Sequence, residues 1–143
     1  QKNISENELF SEFSVFLCDW RKSGEKLKKR KYDAVLANPP YVKKGSGRVS
    51  PNDARQAARC EEFGGLGELI EAVARHLKDD GSAYFCYAFS RFEELRDELR
   101  KAGFGLSRVS YYRGKKGADP AFVCVEARRG FENSDTVEAD VFI

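Results

Sequence analysis

The hydrophobic residues of this chain gather in short runs that are separated by polar and charged segments. Runs rich in β-branched and aromatic residues are typical of buried strands. Five such runs predict strands, and they cover Phe13 to Cys18, Tyr32 to Ala37, Ala83 to Phe89, Leu106 to Tyr112 and Ala121 to Ala127. Pro39 and Pro40 must end the second of these strands, because proline has no amide hydrogen to donate to a neighbouring strand.

Two stretches between the strands have the spacing of amphipathic helices. The first closes at Asp79-Asp80-Gly81, and its apolar face consists of Leu66, Leu69, Ile70, Val73 and Leu77. The second opens with Ser90 and Glu93, which have the spacing of a capping box, and it ends at Gly103. Its core-facing residues are Phe92, Leu95 and Leu99.

The order of these elements is strand, strand, helix, strand, helix, strand, strand. Alternation of strands with amphipathic helices predicts an α/β fold with a mostly parallel sheet. The last two strands are joined by a Gly/Lys turn from Arg113 to Pro120, which is short enough for an antiparallel hairpin. Residues 42–63 hold few large aliphatic residues and are expected to form a long polar loop.

The composition narrows the class of protein. The 143 residues are 41% hydrophobic and 34% charged, which is typical of a soluble single domain, and no apolar run approaches the length of about 20 residues that spans a membrane. The cysteines are widely spaced, so we expect neither a metal site nor disulfides, and a cytoplasmic location; they are Cys18, Cys60, Cys86 and Cys124. The chain begins with Gln1 and contains no methionine, from which we expect a piece of a longer protein.

The net charge of +2 is unevenly distributed. From Arg21 to Arg59 there are twelve Lys/Arg and three Asp/Glu, a balance of +9, whereas from Cys60 to Arg100 five basic residues face ten acidic ones, a balance of −5. Such runs are often only a solvated surface. A basic half beside an acidic half also suits a polyanionic partner on one side of the molecule.

The tetrapeptide Asn38-Pro39-Pro40-Tyr41 is the clearest candidate for chemistry. It directly follows a predicted buried strand, and ligands of open α/β sheets bind beyond the carboxyl ends of the strands. The Asn38 side-chain oxygen and the Pro39 carbonyl are placed to accept the two hydrogens of a planar amine, which frees its lone pair to attack a methyl donor. Tyr41 offers a face on which a flipped-out base can stack. The alternative is an ordinary Pro-Pro turn.

Residues 32–41 resemble the substrate-binding motif of class I N-methyltransferases that act on adenine, cytosine or glutamine amines. The likeness continues through residues 45–52 and 57–61. These segments resemble the bacterial family that methylates N6 of the adenine just 3′ of the anticodon in valine tRNA, although Cys60 stands where that family usually has histidine. The resemblance covers about residues 1–130, as the C-terminal part of a catalytic domain, and residues 131–143 form a tail with no predicted element.

The resemblance implies a partial Rossmann-like sheet that lacks the first two strands, and S-adenosylmethionine as the cofactor. The family's glycine-rich cofactor loop is not found in this sequence. Asp19 corresponds to the acid that contacts the cofactor's adenine, or it simply ends a strand, and Asn38 corresponds to the residue between the methyl group and the target amine. A basic cluster near this motif is expected to contact tRNA phosphates, or to be merely solvated; it comprises Lys43, Lys44, Arg48, Arg55 and Arg59.

Two other functions remain open. Glutamine methyltransferases of release factors share the Asn-Pro-Pro-Tyr motif, but an acidic stretch typically follows it there, whereas this chain has the basic residues 48–55. The chain alone is also compatible with a non-catalytic RNA-binding fragment. His76 is expected to interact with the C-terminal end of its helix rather than to catalyse. Without the first two strands of the family's sheet, two strands lose neighbours, which predicts their direct pairing or a homodimer through the exposed edge.

Overall fold

A computed structural model of the chain describes residues 14, 16, 19–23, 27, 30–39, 65–132 and 136–142. The strands are β1 (Tyr32–Ala37), β2 (Leu77–Ala88), β3 (Phe104–Arg113), β4 (Phe122–Arg129) and β5 (Val137–Phe142). The helices are α1 (Leu66–His76) and α2 (Phe92–Lys101), with short 3-10 helices at Trp20–Lys22 and Phe89–Arg91. The α/β class predicted from the sequence is confirmed.

The five described strands form one open sheet in the order β1-β2-β4-β3-β5. β1 runs parallel to β2, and β5 runs parallel to β3. β4 is antiparallel to both of its neighbours, so the expected β3–β4 hairpin is present. Half of the described pairings are therefore antiparallel, a larger share than the sequence predicts, because β4 inserts between β2 and β3 instead of adding to the outside of the sheet.

Both helices pack against one face of this sheet. Alternate residues of the strands point toward the helices, and three pairs of neighbours meet in register, namely Ala83 with Ala127, Phe85 with Val125 and Tyr87 with Val123. Ile70 of α1 and Leu95 of α2 are buried in the same core cluster. Burial of such side chains is worth about 1.5 to 3 kcal/mol each, so this face supplies most of the stability of the sheet.

The predicted end of the first helix is wrong by several residues. α1 ends at His76, and Leu77 begins β2, so Asp79-Asp80-Gly81 lie in a strand and do not cap a helix. The register against β1 is irregular here, since Tyr32 is opposite Leu77 and Ala34 is opposite Ser82. A Cβ on Gly81 would lie 2.8 Å from the Asp33 carbonyl oxygen, so glycine permits the close approach of the two backbones.

Two further predictions near the helices and the C-terminus need correction. α2 begins at Phe92 with Arg91 as its N-cap and without a side-chain capping bond, so the predicted capping box of Ser90 and Glu93 is not formed. A 3-10 turn precedes the helix instead. Residues 131–143 have no element predicted from the sequence, yet Val137–Phe142 form the edge strand β5.

His76 joins the segment that precedes β1 to the end of α1. It is buried, its Nε2 lies 2.8 Å from the Ser23 hydroxyl oxygen, and its Nδ1 lies 3.1 Å from the carbonyl oxygen of Arg30. A carbonyl only accepts, so Nδ1 is the donor there. The side chain is thus a structural link between two segments. Both ring nitrogens bind groups outside α1, so the expected interaction with the C-terminal end of its own helix is not formed. Of the predicted strand Phe13 to Cys18, only residues 14 and 16 are described, and neither is in a strand.

Candidate active-site groove

Asn38 and Pro39 lie where β1 ends, at the carboxyl edge of the sheet. β1 stops at Ala37, as the sequence predicts. The Asn38 side chain is exposed, whereas Pro39 is buried. A buried proline with a restricted φ fixes the direction in which the chain leaves the strand. The amide of Asn38 is therefore presented to solvent from a backbone that has little freedom.

Asn38 lines an open groove of about 710 Å³ on the face of the sheet opposite the helices. The groove crosses four strands, and its lining includes Asn38, Tyr84, Cys86, Arg108, Cys124 and Glu126. These strand residues alternate with those of the core, so the pleat itself divides the apolar face from the groove face. None of the described helices covers this face, and Leu36 is 79% exposed beside it.

Glu126 is the centre of a hydrogen-bond network in the groove. Its carboxylate accepts from the Ser82 hydroxyl at 2.9 Å, the Tyr84 hydroxyl at 3.3 Å and the Arg128 guanidinium at 2.7 Å. Burial by itself would raise the pKa of Glu126, but the hydrogen bonds from Arg128 and Ser82 outweigh it, and the pKa lies below its ordinary value. Glu126 is therefore an ionised acceptor at neutral pH and not a general acid.

Asp19 is engaged locally. It is the N-cap of the 3-10 helix Trp20–Lys22 and accepts from the Arg21 backbone amide at 3.0 Å. The Arg21 guanidinium also binds both carboxylate oxygens, at 2.6 Å for the closest contact. Hydrogen bonds from the side chain and backbone of Arg21 lower the pKa of Asp19 to about 2. Asp19 is not among the residues that line the groove with Asn38.

The remaining predicted site residues lie outside the described part of the chain. They are Pro40 and Tyr41 of the tetrapeptide and the basic residues Lys43, Lys44, Arg48, Arg55 and Arg59. Of the four motif residues, the structure places Asn38 in the lining of the groove and Pro39 buried beside it, and the proposed roles of the others stay predictions.

The chain is similar to known methyltransferases in sequence. It is 26% identical over 119 residues to the tRNA1(Val) (adenine(37)-N6)-methyltransferases of two strains of Bacteroides fragilis. The match covers 83% of this chain but 49% of each relative, so the chain spans about half the length of the curated relatives it matches. No protein-family model matches the chain. The relatives confirm the resemblance that residues 32–61 indicate.

Solved structures show the same likeness. A predicted O-methyltransferase of Agrobacterium tumefaciens superposes with a TM-score of 0.68 at 15% identity, over 99% of this chain and 61% of that one. The M1.HpyAVI–SAM complex superposes with a TM-score of 0.51 at 13% identity, over 83% of this chain and 56% of that one. The chain has a methyltransferase fold.

Other kinds of site receive no support in the described residues of this methyltransferase fold. No described group of three or more His, Cys, Asp or Glu side chains is arranged to hold a metal ion. None of the described helices has the length and apolar character needed to cross a membrane.

The groove network and the position of the cysteines on the sheet were not predicted from the sequence. Cys86 and Cys124 are opposite each other on β2 and β4, and both are only half-buried, not enclosed in the core. Burial and contact with Cys86 raise the pKa of the Cys124 thiol to about 11, so this thiol is protonated at neutral pH. The charge of Glu126 was the sequence signal that could have indicated the groove face, because a charged residue in an apolar strand must face away from the core.

Proposed function

We propose that the chain forms the acceptor-binding part of a cytoplasmic enzyme that transfers a methyl group from S-adenosylmethionine to the N6 amine of an adenine in tRNA. The observation that carries the proposal is the exposed Asn38 amide at the carboxyl end of β1, fixed by the buried Pro39 and opening onto the groove. The relatives named for this activity support the choice of substrate.

Asn38 would act by orienting the amine and polarising its N–H bonds, which shifts electron density toward the nitrogen. The lone pair of an aryl amine is conjugated with the ring and is a poor nucleophile. The Asn38 side-chain oxygen and the Pro39 carbonyl oxygen accept one hydrogen each, which favours a pyramidal nitrogen. By analogy, loss of one preorganised hydrogen bond in an oxyanion hole costs about 2.7 to 4 kcal/mol of transition-state stabilisation. No general base is required in this scheme.

The described residues fit a cofactor in part. When bound, S-adenosylmethionine supplies an electrophilic methyl group, and Asn38 is the described residue that would lie next to it. Asp19 would hold the cofactor's adenine only if the Arg21 guanidinium first leaves its carboxylate, since that side chain binds both oxygens. Arg21 thus competes with the cofactor for Asp19 in the proposed scheme.

The choice of RNA over protein rests on charge. The segment from Arg21 to Arg59 has a balance of +9 and contains the motif. Neutralisation of phosphates by such a segment provides affinity for RNA that falls with salt. We propose that Lys43, Lys44, Arg48, Arg55 and Arg59 contact the tRNA backbone beside the target base.

The decisive experiment replaces Asn38 by alanine in the complete protein and measures transfer of a tritiated methyl group to tRNA and to protein acceptors. We expect the wild-type protein to label RNA, and Asn38→Ala to lower kcat by about 10²-fold or more with a small change in cofactor affinity.

Asp33→Ala is the matched control, because Asp33 lies at the other end of the same strand and is exposed. It should keep wild-type kcat. Label in protein alone would favour the glutamine methyltransferase, and label in neither acceptor would favour the non-catalytic RNA-binding protein. Wild-type kcat in Asn38→Ala would overturn the role of Asn38.

A further inference from the structure

The turn between β3 and β4 lies at the same end of the sheet as Asn38. β3 and β2 both run antiparallel to β4, so β3 ends where β1 and β2 end. The residues that join β3 to β4 therefore project beyond the carboxyl edge of the sheet. Lys115 and Lys116 are in this turn, and both are exposed.

The registers give the separation of this turn from Asn38. Ala37 is opposite Phe85, and Phe122 is opposite Ala88, so Phe122 lies two residues beyond the level of Asn38 and two strands away. These offsets correspond to about 7 Å along the strands and about 10 Å across them. The lysines extend about 10 Å further, which places them roughly 20 Å from Asn38. A strand of RNA with a base at Asn38 can span this distance with a few nucleotides.

Contacts on both sides hold the turn in place. The Arg113 guanidinium donates to the Ala118 carbonyl at 2.6 Å and pairs with Asp140 of β5 at 2.7 Å. At the other side, the amide of Ala121 donates to the Tyr112 carbonyl at 2.9 Å. Gly117 has a φ of +81°, a conformation that glycine adopts without strain. The two lysines are thus carried on a framed turn with a defined position.

The ammonium groups of Lys115 and Lys116 are available for a partner. Neither forms an ion pair with a carboxylate in the part of the chain that the structure describes. Two cations near the opposite end of the sheet differ, since Arg100 pairs with Asp97 and Lys101 pairs with Glu98 on α2. Lys115 and Lys116 thus place two positive charges without a described carboxylate partner on the side of the molecule where the acceptor base is expected.

We propose that Lys115 and Lys116 bind backbone phosphates of the RNA strand whose adenine enters the groove at Asn38. This inference rests on the proposed function, and it adds a second basic contact that is separate from residues 43–59. The turn would position the strand without reading its sequence, because phosphate contacts carry register and orientation but no base identity.

The test is the salt dependence of RNA binding by the chain. The probe is a fluorescent RNA hairpin with an adenine in its loop, and anisotropy gives Kd at several salt concentrations. Each single-strand phosphate contact contributes a slope of about 0.7 in log Kd against log salt. We expect Lys115→Gln/Lys116→Gln to lower the slope by about 1.4. Lys115→Arg/Lys116→Arg, which keeps the charge, should keep the wild-type slope.

Arg100→Gln/Lys101→Gln removes two exposed cations at the far end and should also keep the slope. An unchanged slope in Lys115→Gln/Lys116→Gln, or no salt-dependent binding by the wild-type chain, would overturn the inference. Methyl transfer to RNA and to protein, measured in parallel with the complete protein, judges the proposed function separately. Methyl transfer to RNA together with an unchanged slope would refute only the role of the turn. A lowered slope without methyl transfer would refute only the proposed enzymatic activity.

Discussion

The link between His76 and Ser23 should be a measurable part of the stability of the fold. His76 is the last residue of α1, and Ser23 belongs to the segment that leads into β1. His76→Leu places an apolar side chain of similar size in the buried position and removes both ring nitrogens. The perturbation therefore tests the hydrogen bonds and largely spares the packing.

The expected magnitude follows from the partners that are left behind. Ser23 is only 6% exposed, so its hydroxyl loses its partner away from water, which costs about 1 to 3 kcal/mol. Arg30 is exposed, so water replaces His76 at its carbonyl and the loss there is about 1 kcal/mol or less. We expect His76→Leu to lower the free energy of unfolding by about 1 to 4 kcal/mol. Ser23→Ala leaves the buried Nε2 of His76 without its partner, so it should cost about 1 to 3 kcal/mol.

Urea unfolding followed by circular dichroism measures these differences. With a slope of about 1 to 3 kcal/mol per molar, His76→Leu should lower the urea midpoint by about 0.3 M or more. A double-mutant cycle isolates the pair, and we expect a coupling energy of about 1 kcal/mol. Glu71→Leu, on the exposed side of the same helix, is the control and should stay within about 0.5 kcal/mol of wild type. A His76→Leu protein as stable as this control would refute the reasoning.

Two other predictions concern the groove face and the sheet edge. The folded-state pKa of Glu126 is lowered, so its ionised form stabilises the protein above the ordinary glutamate pKa of 4.5, and this stability is lost as the pH falls through the lower folded-state value. Urea unfolding should show Glu126→Gln to be less stable at pH 7 by about 1 to 2 kcal/mol and less sensitive to acid, and identical pH profiles would contradict the role of the network. Among the described strands β1 has β2 as its one neighbour, which leaves the other edge of β1 open to a second chain. Light scattering should therefore detect a dimer, and Leu36→Lys should weaken it. A wild-type chain that stays monomeric at high concentration would exclude this edge as an interface.

The elements with a strong local pattern were predictable, and the errors lie where tertiary contacts override that pattern. Leu77 continues the helical spacing of α1, yet it is the first residue of β2 and is fully buried, because the chain leaves the helix and enters the sheet at this residue. Gly81 is a residue type that often ends a helix, but here it lets the backbone of β2 approach the Asp33 carbonyl group of β1 closely. β5 alternates between apolar and acidic residues up to Val141, a strand signal that is too short to stand out without its partner β3.

The candidate site was predictable only where the motif is contiguous in sequence. Asn38 and Pro39 follow a strand whose end is set by proline, so local chemistry sufficed to place them at the carboxyl edge. The network of Glu126 with Ser82 and Tyr84 joins residues that are about forty positions apart, and only the register of β2 against β4 brings them together. Asp19 was expected to contact a cofactor, but in the structure it accepts a hydrogen bond from the amide of Arg21. Such a contact is favoured because the two residues are close along the chain.

The position of β4 has a consequence for how the protein is made. This strand separates β2 from β3, and Val123 and Ala127 in it are fully buried, but it is synthesised after both of those strands. Phe85 pairs with Val125, which is synthesised some forty residues later. Until then the side chain of Phe85 has no partner on the neighbouring strand. Contacts between distant residues slow folding, and apolar surface stays exposed to other chains in the meantime. A nascent chain that has not yet reached Phe122 lacks the strand that joins β2 to β3, so the inner edges of both strands stay open to other chains until β4 is made.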